Sequence, residues 1–160
     1  MRIALFIFIL LIPSYADCIE KTDLVLVIKS ESKLYLKKNG KTLKKCRVVF
    51  GAQPKGHKVK RGDERTPEGR YILDYKKKDS AFYKSIHISY PNARDRRRAK
   101  EAGVDPGGLI MIHGQKNGLG RRGEIAQQTD WTDGCIAVKN SEMEEIWRSP
   151  FAQVTATHVN

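Results

Sequence analysis

Long hydrophobic runs are nearly missing from this 160-residue chain. One stands at the N-terminus, Ala4 to Ile12, behind Met1-Arg2. At about nine residues it is too short for a bilayer, which takes roughly 20, so a polytopic membrane protein is excluded. Acidic residues are scarce: 18 Asp plus Glu stand against 30 Lys plus Arg, for a formal net charge of +12. The three cysteines and four histidines are dispersed, with no His-x-x-His or Cys-x-x-Cys pair and no glycine-rich nucleotide fingerprint. No metal and no cofactor are therefore expected. Repeats and linkers are also lacking. The 40 % apolar share and the scattered 13 Gly and 6 Pro are those of a globular chain long enough for one domain.

The short apolar run fits a signal peptide over 1–16. Pro13-Ser14-Tyr15-Ala16 follows it and places small residues at −3 and −1 of a cleavage site after Ala16. Residues 17–23 then form a lead, and 24–158 the domain proper. The mature chain keeps 29 basic and 18 acidic residues, net +11. Such a surface meets an anionic partner. Nucleic acid is a poor fit, because the basic residues are spread along the chain without a basic helix interleaved with aromatics or finger spacing. Outside a bacterial cytoplasm the anionic polymer is the cell wall with its stem-peptide carboxylates. The expectation is an exported monomer, periplasmic or wall-associated, with no integral membrane span in the mature chain.

Leu24 to Ile28 and Lys33 to Lys38 read as strands, and Asn39-Gly40 between two β runs signals a tight hairpin with Thr42 to Phe50 as return strand. With that turn Lys38 faces Lys41 and Lys33 faces Cys46. A preceding turn at Ser30 to Ser32 sets Lys29 against Lys33 and Leu24 against Lys38. This register puts Cys46 at the level of residue 29, roughly 17 Å from the level of Leu24, and so predicts no Cys18–Cys46 disulfide. Residues 51–69 are a Gly- and Pro-punctuated loop. Further strands are expected over Arg70 to Tyr75, Ser85 to Tyr90, Leu109 to Ile112 and Ile136 to Val138. Asp95 to Ala102 reads as a charged helix closed by Gly103, and its Arg94 to Lys100 cluster as a solvated face or a glycan-docking one. A second helix opens on a capping box from Ser141 to Glu144 and runs through Trp147. Many short strands and two small helices predict a mostly-β, β-sandwich-type single domain.

Two residues stand out for chemistry. Cys135 follows Thr132-Asp133-Gly134 at a loop-to-strand turn, where a thiol is accessible and backbone N–H groups can stabilise an oxyanion. His113 ends a buried strand and is followed by Gly114, which leaves one side of its ring open. A lone cysteine is as a rule a small buried hydrophobe, and spacing alone leaves both readings of Cys135 standing. His57 either borders a cleft or hydrogen-bonds its own loop. His87 alternates with Ile86 and Ile88 as a structural strand residue, and His158 is solvated near the terminus. The 18-residue stretch Gly114 to Trp131 is long for a compact domain, which marks it as a cleft wall.

The blocks GAQPKGHKVKRGDERTPEGRY (51–71), SYP (89–91), PGGLIMIHG (106–114) and DWTDGCIAV (130–138), in this order, resemble the L,D-transpeptidase catalytic domain, the YkuD-like family. The resemblance runs from about Leu24 to Trp147. It implies a β-sandwich in which Cys135 is the nucleophile and His113 its proton acceptor and donor. Thr132 and Gly134 match the flanking turn, with Gly134 near the oxyanion, and Thr66-Pro67-Glu68-Gly69 matches a turn that helps to form the cleft. Arg121, Arg122, His57 and Thr66 are the candidate substrate contacts. Two positions depart from the family pattern. Ala137 stands where the family often has Arg, for which Lys139, Arg121, Arg122 or Lys58 could substitute, and Asp133 puts a negative charge beside the nucleophile. The implied activity is acyl transfer on peptidoglycan tetrapeptide stems through a Cys135 thioester. The alternatives are an L,D-carboxypeptidase or amide hydrolase using the same site, and a catalytically silent wall-binding domain.

Overall fold

The structure is a computed structural model that describes residues 22–149 and 155–158. The signal peptide, Cys18, and the surroundings of the His158 side chain lie outside the described residues. Strands β1 (Leu24–Ile28), β2 (Lys33–Lys38) and β3 (Lys41–Arg47) form the expected meander. β4 (Gly69–Tyr71), β5 (Leu73–Lys77) and β6 (Ser85–Ile88) follow. After helix α1 (Ala93–Glu101) come β7 (Met111–His113), the short α2 (Gly123–Ala126), β8 (Ile136–Ala137), α3 (Asn140–Arg148) and β9 (Thr155–His158). Two sheets result, ordered β3-β2-β1-β9-β4 and β5-β6-β7-β8.

Alternation explains how they meet. In β1 and β2 the even-spaced Val25, Val27, Leu34 and Leu36 are buried, while their neighbours are partly exposed. Ile86, Ile88, Ile112 and Ile136 of the other sheet join them, with Met143 and Ile146 of α3, in one core. Among the described residues no helix is long and apolar enough to cross a membrane.

Four local expectations change. Ile28, not Lys29, faces Lys33, because a 3-10 turn over Lys29–Glu31 and a left-handed Ser32 (φ 52°) make the β1–β2 connection one residue longer. In the hairpin Lys38 does face Lys41, but the register shifts between Leu36 and Lys37, where Leu43 is the additional residue. Cys46 therefore faces Leu34, at the level of Val27. Arg70 to Tyr75 is not one strand: the chain changes sheets at Ile72, with Tyr71 pairing β9 and Leu73 pairing Ile88. The second helix opens two residues earlier, with Lys139 in place of Ser141 at its cap, and Glu142 accepts the Lys139 N–H at 3.1 Å. Ser141 and Glu144 make no capping box; Glu144 instead accepts from Tyr83 Oη at 3.0 Å and pairs with Lys84. α1 is capped as a box by Asn92 and Asp95, whose oxygens accept the Asp95 and Asn92 N–H groups at 3.1 and 3.0 Å. β9, which runs parallel to β1 and antiparallel to β4, was not expected at all.

The loop between β3 and β4 is tied down by buried charges. The Lys29 ammonium, 4 % exposed, donates to Gly56 O at 2.9 Å and Thr66 O at 3.2 Å and pairs with Glu68 at 2.8 Å. Lys58, 3 % exposed, pairs with Asp63 at 2.8 Å, and Asp63 also accepts the N–H groups of Val59, Lys60 and Arg65. Despite the cost of burial, these partners hold the Asp63 carboxyl down at about 2.

Candidate active site

β7 and β8 run parallel, with Ile112 opposite Ile136 and His113 opposite Ala137. Ile112 and Ile136 point into the core, fully buried. By the two-residue period of a strand, Met111 and His113 then share the other face, and so do Cys135 and Ala137. Cys135, immediately before β8, and His113, at the end of β7, thus lie on one face of the sheet. Both line a cavity of 320 Å³.

His113 is 3 % exposed, and its Nδ1 lies 2.6 Å from Gly114 O. A carbonyl can only accept, so Nδ1 carries the proton and Nε2 keeps the lone pair. The ring packs against Phe82 at 4.7 Å and Trp131 at 5.9 Å between centroids. Burial among these groups lowers the imidazole pKa, although the Gly114 carbonyl opposes the shift. Gly114 is required here: a Cβ would lie 2.7 Å from both Tyr83 O and Asn140 Oδ1.

Cys135 Sγ accepts the Met111 N–H at 3.4 Å and donates toward Leu109 O at 3.7 Å. Burial raises the thiol pKa; the Met111 N–H and the Lys58 charge pull it down, and Asp133 pushes it further up. Both shifts favour the uncharged forms, thiol and neutral imidazole, over thiolate and imidazolium. Thr132, 4 % exposed, shapes the turn: its hydroxyl donates to Cys135 O at 2.8 Å and accepts the Gly134 N–H at 3.1 Å. Gly134 has φ 118°, and a Cβ there would lie 2.5 Å from Arg65 O. Its role is therefore to form the turn. Its N–H is committed to Thr132, which corrects the expectation that it faces the oxyanion.

The other expected contacts lie elsewhere. Thr66 is fully buried behind the turn, its Oγ1 accepting the Gly51 N–H at 3.2 Å. His57 does not line the cavity. Its Nδ1 accepts the Glu68 N–H at 3.0 Å and its Nε2 sits 3.2 Å from Asp95, so both nitrogens staple the loop to α1. Arg121 and Arg122 occupy a 3-10 turn over Gly120–Arg122 and do not line it either; Arg122 borders a separate groove beyond Trp131. Ala137 is fully enclosed opposite His113. Of its four expected substitutes, Lys139 pairs with Glu124, and Lys58 lines a second cavity of 560 Å³ that shares Leu109 and Asp133 with the first. His87 stacks on Tyr75 at 4.5 Å, with Nδ1 2.6 Å from Asp74.

Phe82, Tyr75 and Leu109 line the first cavity without having been foreseen. Trp131 was inside a recognised block but had no assigned role. Leu109 had a signal of a kind: an apolar residue after two glycines, now 74 % exposed and left-handed at φ 56°, a conformation that costs a side chain energy and collects at functional sites. Phe82 carried none, because its ring reaches His113 across the fold. Among the described residues no three His, Cys, Asp or Glu side chains are grouped to hold a metal ion.

Comparison with known proteins bears on the family and the fold. The family model described as the L,D-transpeptidase catalytic domain matches residues 22–151. A protein of Escherichia coli K12 named as a candidate L,D-transpeptidase, YafK, is 32 % identical over 105 residues. That match covers 64 % of this chain and 34 % of YafK, so the chain spans about a third of the curated relative. Among solved structures, the helical cell shape determining protein Pgp2 of Campylobacter jejuni superposes with a TM-score of 0.64 at 24 % identity, over 87 % of this chain and 48 % of that one. An L,D-transpeptidase of Xylanimonas cellulosilytica gives 0.55 at 13 % identity, over 86 % and 61 %. Both show the same mostly-β fold. With its matched region running from before β1 to beyond α3, the chain belongs to the L,D-transpeptidase catalytic domain family.

Proposed function

We propose that the chain is an exported cysteine peptidyltransferase acting on peptidoglycan stem peptides, with residues 1–16 as its signal peptide. The observation that carries this reading is that Cys135 and His113, the latter with its Nδ1 turned to Gly114 O, line one aromatic-walled cavity. As a tetrapeptide carbonyl approaches, His113 Nε2 takes the thiol proton and Sγ attacks the carbonyl carbon of the L-centre. The C–N bond to the terminal D-residue breaks, the proton returns from His113 to the leaving amine, and a thioester remains on Cys135. The oxyanion falls to the Cys135 N–H, which meets no acceptor among the described residues. An amine of a second stem then attacks the thioester and forms the cross-link. With water as acceptor the same intermediate makes the enzyme a carboxypeptidase or amide hydrolase.

The test is intact-mass analysis of the purified chain with a tetrapeptide donor or a carbapenem. One adduct on Cys135 is expected, absent from Cys135→Ala. Cys135→Ser should lose most turnover. His113→Ala should slow acylation, with partial recovery at high pH where the thiol ionises unaided. An active Cys135→Ala variant, or an adduct on Cys18 or Cys46, overturns the mechanism. A wild-type chain that binds wall material and forms no adduct would be the silent wall-binding domain.

A further inference from the structure

Helix α1 presents an unbalanced charge to solvent. It carries Arg94, Arg96, Arg97, Arg98 and Lys100, all exposed, while its Asp95 and Ala99 are buried. At about 100° per residue, Arg94, Arg97 and Lys100 form the row opposite Asp95 and Ala99, and Arg96 and Arg98 flank it. Five cations thus crowd about 9 Å of helix axis, and Glu101 is the single acid on the exposed side. Among the described residues none of the five makes an ion pair or a side-chain hydrogen bond. Arg94 and Arg98, and again Arg96 and Lys100, are like charges four residues apart, a spacing that disfavours a helix, and Arg94 and Arg96 stand at the end where the helix dipole opposes cations. α3 shows what folding selects at that spacing, with Glu144 and Arg148 paired at 3.2 Å. The α1 cations work against the helix that bears them, and no internal partner offsets the cost. Their mount is nevertheless rigid. The Asp95 carboxylate accepts Tyr71 Oη and the Asn92 N–H, each at 3.0 Å, and lies 3.2 Å from His57 Nε2.

We infer that the exposed face of α1 docks the domain on a bilayer surface of anionic phospholipid headgroups. Charge complementarity names the partner class, and the residue types narrow it. Four of the five cations are arginine, whose planar fork takes two oxygens of one phosphate at once. The row stands on the outside of a helix and borders neither the two cavities nor the groove beyond Trp131. That shape meets a flat field of separate headgroups rather than enclosing a strand of glycan. No exposed side chain of α1 is apolar beyond alanine, so contact stops at the headgroups without insertion. Asp95 ties α1 to β4 through Tyr71 and to the following loop region through His57, so docking orients the whole domain and holds the cavity of Cys135 at a fixed attitude to the bilayer. Docking of this kind is independent of the acyl-enzyme chemistry proposed above.

The experiment measures co-sedimentation of the purified full chain with phosphatidylcholine vesicles, with and without about 30 % phosphatidylglycerol. Whatever the apolar N-terminal run contributes acts on both kinds of vesicle, so the difference between them reads α1. The chain should prefer the anionic vesicles, and the preference should fade at about 1 M salt, where the screening length is about 3 Å. Arg94→Gln, Arg97→Gln and Lys100→Gln together should weaken binding to anionic vesicles about 100-fold, at about 5-fold per cation. Lys37→Gln, Lys38→Gln and Lys41→Gln together remove the same charge from the β2–β3 hairpin and should change binding no more than about threefold. In urea melts the α1 variant should be at least as stable as the parent, because like-charge repulsion is relieved. Equal binding by parent and α1 variant, an equal loss in the hairpin variant, or a marked loss of stability in the α1 variant overturns the docking face. So does α1-dependent binding to purified wall sacculi with none to vesicles, which would assign α1 to the glycan.

Discussion

Thr132→Val is the perturbation that isolates the nucleophile turn. Valine matches threonine in shape, so the cavity term is small, and what disappears is one hydroxyl with two bonds. The Gly134 N–H is buried and loses its acceptor, and Cys135 O loses its donor. Each stranded backbone group costs about 1–3 kcal/mol; because Cys135 O is part-buried and water can reach it, the sum should fall at about 2–4 kcal/mol. Thr132→Ser keeps both bonds and should cost no more than about 1 kcal/mol for a lost methyl. Urea unfolding gives the stability difference. The Cys135 adduct rate at equal folded fraction gives the positional effect, which should be tens of fold or more, since a shift of about 1 Å in a reacting group can cost ~100-fold. A Thr132→Val protein within about 0.5 kcal/mol of the parent and acylated at the parental rate would refute the assignment of Thr132 as the strut of the turn.

Three further outcomes follow from the same geometry. Alkylation of Cys135 by iodoacetamide should rise with pH through a midpoint above ~8.5, the ordinary thiol value, because burial raises the thiol and lowers His113; a rate flat from pH 5 upward would reveal a preformed ion pair. Asp63, with a folded pKa of about 2 against 3.8, contributes stability that is fully present above pH 4 and is lost as pH falls toward 2. Asp63→Asn should therefore cost about 2 kcal/mol at pH 7 in urea melts, and the gap to the parent should close near pH 2; a gap independent of pH would contradict the linkage. Arg121→Ala combined with Arg122→Ala should leave kcat/KM on tetrapeptide within about twofold, since neither side chain lines the cavity with Cys135; a tenfold loss would restore them to the site.

What could be read from the residues in order was whatever depends on neighbours in the chain. The alternation of Val25 and Val27 with Leu24, Leu26 and Ile28, the Asn39-Gly40 turn and the Thr132-x-Gly-Cys turn are local patterns, and they survive because each sets its own backbone geometry. That Cys135 and His113 come to one cavity was legible through the family blocks, and the parallel register of β7 and β8 is its physical basis. Single-residue displacements were not legible. The bulge that adds Leu43 to β3, the longer turn before Lys33 and the change of sheet at Ile72 are decided by which partner strand is available, and the partner is distant in sequence. The same holds for the site. His57, Thr66 and the two arginines lie in or beside recognisable motifs, yet their hydrogen bonds and burial turn them to stapling the loop or lining another groove. Phe82 comes to His113 because its segment, between β5 and β6, lies beside the end of β7 in the assembled sheet. Lys58 is polar enough to pass for surface, and only the packing of its loop around Asp63 buries it. Local patterns name the reactive atoms, whereas the packing of segments far apart in the chain decides what surrounds them and which charges they feel.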